Sequence, residues 1–176
     1  MKPAIKPSPK ILGFAAFSGT GKTTLLKQVI PLLVQQGIRL SIIKHSHHDF
    51  EIDRPGKDSY ELHHAGATQT LITSKYRHAL ISENITQQEV FLQQALSQLD
   101  LDNIDLVLVE GFRDDSTLPC IVCHRSSLNK PLLFNTAEKV IAIACDEPLE
   151  SAIQQLDINN PAQVAEFIID WSHQSL

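Results

Sequence analysis

The stretch Ala16-Phe17-Ser18-Gly19-Thr20-Gly21-Lys22-Thr23-Thr24 holds the residue types that bind a polyphosphate, in the order that chemistry needs. Gly19 and Gly21 let the backbone curl closely, so successive N–H groups can converge on an anion. A helix starting at this point would add the positive end of its dipole. Lys22 can reach the outer phosphates as a compact charge, and a hydroxyl at the position of Thr23 is the usual protein ligand for magnesium in such loops. Thr24 is placed to approach the innermost phosphate, and Ser18 completes the loop. Ala16 stands where the usual pattern has glycine, which requires a negative φ at that residue.

The flanking elements supply the context that this motif requires. Ile11-Leu12-Gly13-Phe14-Ala15 reads as a buried strand, and the apolar positions Leu25, Leu26, Val29, Ile30, Leu32 and Leu33 form a helical stripe ending near Gly37. Pro31 lies within that stripe and is a potential kink. Residues 39–44 read as a second strand, making a strand-helix-strand unit of a parallel sheet. The alternative, an ordinary glycine turn before a helix, does not account for the lysine and both threonines together.

Beyond Lys44 the apolar pattern lapses, and His45, His47, His48, Asp49, Glu51, Asp53, Arg54, Pro55 and Gly56 form a polar segment too long for a simple connector. It follows a strand at the carboxyl edge of the sheet, where ligands of open parallel sheets bind. Asp49 and Asp53 are therefore candidates for the magnesium surroundings or for orienting an attacking water, with solvated acids as the alternative. The histidines, with His63 and His64, could hold a divalent metal or an oxyanion, or serve only as polar surface. A short helix is expected over 58–65, then strands over 69–74 and 78–82 joined as a hairpin, which could extend the sheet or pair with another subunit. Helical spacing returns over 86–99, with Thr86 and Glu89 as a capping box.

Ile104-Asp105-Leu106-Val107-Leu108-Val109-Glu110-Gly111 has the near-continuous apolar run of a central parallel strand, ending in a carboxylate. Glu110 is the candidate acidic partner of the magnesium ion or its water shell, against the alternative of a surface acid at a strand end. Two more strands are expected over 119–124 and 139–144, and a closing helix over 162–171. Asp146 falls where such a sheet can present a carboxylate to a guanine edge, though no Asn-Lys-x-Asp signature precedes it. Cys120, Cys123 and His124 have a zinc-like spacing, but strand residues three apart face opposite sides, so small buried residues are the better reading.

Alternating strands and helices set the class as α/β with a mostly parallel sheet and an added hairpin. The 176 residues, 43% hydrophobic and 20% charged, are ordinary for one globular domain, expected over 10–176 after a mobile tail at 1–9. A net charge of −5 argues against a nucleic-acid scaffold. Three cysteines are too few for a disulfide framework. No run approaches a membrane span and the amino terminus has no hydrophobic signal core, so a cytoplasmic protein is expected.

Taken in order, the phosphate loop, Lys44-His45-Ser46-His47-His48, Asp53-Arg54-Pro55-Gly56-Lys57-Asp58-Ser59, Ala65-Gly66-Ala67 and Glu110-Gly111-Phe112-Arg113 resemble the protein B family of molybdopterin-guanine dinucleotide biosynthesis over nearly the whole chain after the tail. The resemblance implies a P-loop NTPase-like fold and a homodimeric, cytoplasmic GTP-binding adaptor of low turnover. Its partners would be the molybdenum cofactor guanylyltransferase and the molybdenum-insertion protein, with a molybdopterin-type cofactor as a further ligand. Carried onto this chain, Gly19, Thr20, Gly21, Lys22, Thr23 and Thr24 would lie on phosphates and magnesium, with Glu110 at the metal edge beside Thr23; Ser18 and Asp146 are further nucleotide-binding candidates from their positions in the chain. Lys22, Glu110 and Asp53 are the catalytic candidates. Two other functions stay open, the first of them using the same loop. A small-molecule kinase needs clustered arginines on a closing lid, whereas Arg39, Arg54, Arg77, Arg113 and Arg125 are scattered. A carrier of the pterin cofactor would use Lys44, Lys57 and Arg113 around a phosphate.

Overall fold

A computed structural model describes residues 8–46, 49–86, 88–133 and 139–174. His47, His48 and most of the expected tail lie outside the described residues. Two compact units result: residues 1–45 with 91–176, and residues 46–90. The second, read from sequence as part of one domain, is compact around its own helix and hairpin.

The larger unit contains β1 (Lys10–Ala15), α1 (Lys22–Gln35) and β2 (Leu40–Lys44). After the smaller unit it resumes with α3 (Leu92–Leu96), β5 (Leu106–Glu110), β6 (Cys120–His124), β7 (Val140–Cys145), β8 (Gln155–Asp157) and α4 (Pro161–His173). Its sheet has the order β2-β5-β1-β6-β7-β8, and every pairing is parallel. The chain leaves β1 towards β2 and β5 on one side and towards β6, β7 and β8 on the other. The crevice beyond the carboxyl end of β1 is therefore a topological switch point, the place where such sheets bind ligands.

Alternation along the strands divides the core by face. Leu12, Phe14, Leu106, Leu108, Ile121 and Cys123 pack with Leu25, Val29 and Leu33 of α1 and Val164 and Ile168 of α4. On the other side Val107 and Val109 meet Leu92 and Leu96 of α3, while Cys120 and Val122 join a separate cluster with Val140 and Ile143. Each large side chain buried this way contributes about 1.5–3 kcal/mol. Cys120 and Cys123 thus face opposite sides, and burial pushes the Cys123 thiol up to about 12. No helix among the described residues is long and apolar enough to cross a membrane.

Two expectations change. The helix read over 86–99 is only α3, five residues long. Leu92 and Leu96, one turn apart, are the buried positions, whereas Ile85 and Phe91 are exposed and give the preceding turns nothing to pack against. The expected Thr86 and Glu89 box is replaced by Gln94, whose side chain accepts the Phe91 N–H at 2.8 Å. In addition, β8 has no counterpart in the sequence reading, since only Leu156 of its three residues is buried.

The smaller unit contains α2 (Asp58–His64) and the hairpin of β3 (Gln69–Thr73) and β4 (His78–Ser82). The hairpin forms its own antiparallel pair and does not extend the larger sheet. His63 of α2 is buried and ties the unit together: its ring nitrogens lie 2.8 Å from Thr70 Oγ1 and 2.8 Å from Glu83 Oε1.

Candidate functional site

The loop from β1 to α1 leaves the strand at the switch point, and its shape follows from its glycines. Gly19 has φ 84° and Gly21 has φ 92°, the left-handed region that favours glycine. Ala16 is not among the residues of positive φ, as its methyl group requires. Between the glycines, Thr20 is buried. Its hydroxyl donates to the Phe17 carbonyl at 2.8 Å, and its N–H donates to the same oxygen at 3.3 Å. These bonds close the loop internally.

Helix α1 then begins without a side-chain cap and with no acid in its first turn. Gly21 occupies the cap position, contributing its carbonyl to the Leu25 N–H at 2.9 Å but no side-chain acceptor. The first N–H groups of a helix have no intrahelical partners. Here they, the dipole and Lys22 are placed where an anion could meet all three.

Glu110 ends β5, which pairs directly with β1 through Phe14. Its carboxylate lies 3.1 Å from Lys22 Nζ, with both side chains about one-sixth exposed. The structure thus brings together the two residues read from sequence as the phosphate cation and the magnesium-side acid. Pairing keeps the ammonium compensated in a half-buried crevice. Next to it, Gly111 has φ 102°, and a Cβ there would fall 2.7 Å from His45 Cβ. Only glycine allows the ends of β5 and β2 to approach this closely. Phe112 continues with φ 52°, and its ring centroid lies 4.4 Å from that of His45 with the two planes tilted by 42°.

Magnesium takes hard oxygen ligands and keeps several waters, so a nucleotide site needs few protein donors. The Thr23 hydroxyl on the exposed first turn of α1 and the Glu110 carboxylate fit that requirement. The described residues contain no cluster of three or more His, Cys, Asp or Glu suited to a metal.

Asp146, one residue past β7, is engaged with the protein. Its Oδ1 accepts the Ser126 N–H at 2.9 Å, and this bond is the main cause holding its carboxyl below the usual range. Its Oδ2 lies 3.8 Å from Arg125 Nη1. Arg125 in turn donates to the Thr20 carbonyl and to Asn159, connecting Asp146 with the phosphate loop. Sequence reasoning passed over Arg125, Ser126 and Asn159. Arg125 directly follows β6 at the carboxyl edge, the same positional signal that marked Asp146. Asn159 follows β8, so it had no strand to mark it.

Asp53 belongs to the smaller unit. Ser59 donates its hydroxyl to Asp53 Oδ2, and the Arg54 N–H lies 2.9 Å from Oδ1. These two bonds, the Ser59 one first, hold its carboxyl below the ordinary value. In the same unit, Asp49, Phe50, Glu51, Tyr60, His64 and Glu83 are among the residues lining a cleft of about 450 Å³. Tyr60 and His64 stack at 3.8 Å between ring centroids. The Tyr60 carbonyl, with Glu51 nearby, raises the pKa of His64 above its ordinary value.

Comparison with known proteins places this geometry. Residues 11–146 match the family described as molybdopterin guanine dinucleotide synthesis protein B. The chain is 45% identical over 161 residues, 92% of both chains, to the molybdopterin-guanine dinucleotide biosynthesis adapter protein of Escherichia coli (strain K12). It is 43% identical to the protein of the same name from Haemophilus influenzae, over 93% of this chain and 89% of that one. Among solved structures, Bacillus subtilis MobB covers 92% of this chain and 96% of its own, with a TM-score of 0.68 at 22% identity. That last likeness bears on the fold, which is P-loop NTPase-like. With the family match spanning most of the chain and the phosphate loop, Glu110 and Gly111 all inside it, the protein belongs to the molybdopterin guanine dinucleotide synthesis protein B family.

Proposed function

We propose that this protein is a GTP-binding adaptor with weak magnesium-dependent GTPase activity, acting in the formation and use of molybdopterin guanine dinucleotide. The observation that carries the reading is the open start of α1: no side-chain cap, no first-turn acid, two left-handed glycines before it and Lys22 paired with Glu110. That arrangement holds a polyphosphate without rebuilding the loop. The adaptor role rests on relatives named as adapter proteins for this biosynthesis.

Thr23 and Glu110 would hold the magnesium ion, which supplies charge neutralisation on the phosphate oxygens when bound. Lys22 moves from Glu110 to the outer phosphates, and the first N–H groups of α1 bind the inner ones. Hydrolysis is slow because no glutamine neighbours Glu110 in the sequence Val109-Glu110-Gly111-Phe112-Arg113 to position the attacking water. Asp146 and the turn that follows β6 form the base side. The arginines speak against a kinase: Arg39 is bidentate to Asp105, and Arg125 is bonded within the sheet edge, so neither is held ready on a lid.

A homodimer fits the hairpin, where the cross-strand pair Leu71 and Leu80 is more than half exposed on both sides. Such a surface is covered in a stable assembly. The cytoplasmic guanylyltransferase and molybdenum-insertion protein are the proposed partners, with nucleotide state altering the affinity for them.

The test is equilibrium binding of fluorescent GTP and ATP analogues with magnesium, followed by phosphate release from the unlabelled nucleotides. Tighter GTP binding with slow release is expected. Preferential ATP binding, with turnover appearing only on addition of a small acceptor, would replace the adaptor by a kinase.

A further inference from the structure

Arg125 does not extend into the anion site. Its Nε donates to the Thr20 carbonyl at 2.9 Å and its Nη2 to Asn159 Oδ1 at 2.9 Å, while Nη1 faces Asp146. All three guanidinium nitrogens therefore have partners, from the phosphate loop, the turn after β8 and the end of β7. Planarity gives the fork a fixed geometry, so holding two corners fixes the third.

The acceptor on the loop is the informative one. In a trans peptide the carbonyl and the following N–H point to opposite sides of the chain. Turning the Thr20 carbonyl towards Arg125 therefore turns the Gly21 N–H away from it. Thr20 itself is pinned to Phe17 by its hydroxyl and its N–H, so the Arg125 bond removes the remaining freedom of the Thr20–Gly21 peptide. A Cβ on Gly21 would stand 3.7 Å from both Nε and Nη2, showing that the guanidinium packs against this turn. A charged donor on the carbonyl also polarises the peptide and strengthens its N–H as a donor.

We propose that Arg125 is a positioning residue that sets the Thr20–Gly21 peptide plane for binding the polyphosphate of a nucleotide, with Asp146 and Asn159 holding its guanidinium in register. The proposal rests on the nucleotide-binding reading above and adds to it a residue that acts on the phosphates without touching them. It also gives the base side and the phosphate side one shared bonded link. Weakening either anchor of the guanidinium then lowers phosphate affinity.

The test compares the full chain with Arg125→Ala, Arg125→Lys and Asn159→Ala by calorimetric titration with magnesium GTP, alongside the amide resonance of Gly21 in the nucleotide-free proteins. Loss of a charge-assisted bond predicts at least about tenfold weaker binding for Arg125→Ala. The Gly21 resonance should shift before any nucleotide is added, and guanidinium ion at non-denaturing concentration should restore part of the affinity. Arg125→Lys keeps the charge but not the fork and should fall between; Asn159→Ala should lose about two- to threefold. If Arg125→Ala fails to fold, Arg125→Lys and Asn159→Ala carry the comparison. An unchanged Gly21 resonance, or wild-type affinity in the variants, overturns the proposal. Absence of binding by the wild-type chain would instead remove the nucleotide reading beneath it.

Discussion

Helices α1 and α4 pack against the same face of the sheet, yet they begin in opposite ways. Asn160 caps α4 with its side chain, accepting the Gln163 N–H at 3.2 Å, and a proline follows in the first turn. This start satisfies orphan donors within the chain. Helix α1 has a left-handed glycine and no side-chain acceptor. An isolated helix would gain about 0.5–2 kcal/mol from a side-chain cap. Its omission at the switch point, beside Lys22 and Glu110, leaves donors open for a ligand. On the proposed reading, the start of α4 serves folding and the start of α1 serves binding.

Substitutions can break this contrast. Lys22→Ala should have the largest effect, weakening magnesium GTP binding by about 100-fold, the upper range for a charged hydrogen-bonding group. Calorimetric titration reads it, with far-UV circular dichroism unchanged. Thr24→Asp places a carboxylate in the first turn of α1. It should weaken nucleotide binding by about tenfold through like-charge repulsion, yet raise stability by about 0.3–1 kcal/mol because the acid complements the helix dipole. Opposite movement of affinity and unfolding midpoint would separate ligand binding from helix stability in one variant. Asn160→Ala should cost about 1 kcal/mol in urea unfolding and leave nucleotide affinity as it was.

The smallest expected effect lies at the opposite pole of a helix. His64, in the last turn of α2, accepts a raised pKa from the Tyr60 carbonyl first and then from Glu51. Protonated His64 is favoured in the folded state. Its stabilisation is present below the unfolded value, about 6.5, and is lost as pH rises through the higher folded value. Titrating unfolding midpoints of the native chain and His64→Gln across that window should show a shallow decline in the former that is absent in the latter.

Much of the candidate phosphate site was legible because its residues are local. Residues 16–24 carry loop, charge and hydroxyls in one run, and the unbroken apolar strand ahead of Glu110 fixed where that acid emerges. Lys22 and Glu110, 88 positions apart in sequence, accordingly meet at 3.1 Å. What escaped was decided by packing. Nothing in the spacing of 86–99 revealed that only the turn carrying Leu92 and Leu96 would find a core to bury against. Strand β8 is too short to show a period. Arg125 was counted among scattered arginines, since its contacts with Thr20 and Asn159 span 105 and 34 residues. Asp53, a candidate from the polar segment, has its observed bonds to Ser59 and Arg54 within the smaller unit.

Amide chemical shifts of the full chain titrated with magnesium GTP would report whether polyphosphate binds at the uncapped start of α1. Saturable shifts centred on Gly19 to Thr24 are expected, with the amides of Asn160, Ala162 and Gln163 unmoved. Binding that leaves the Gly19 to Thr24 amides in place, or moves the two helix starts alike, would contradict that placement.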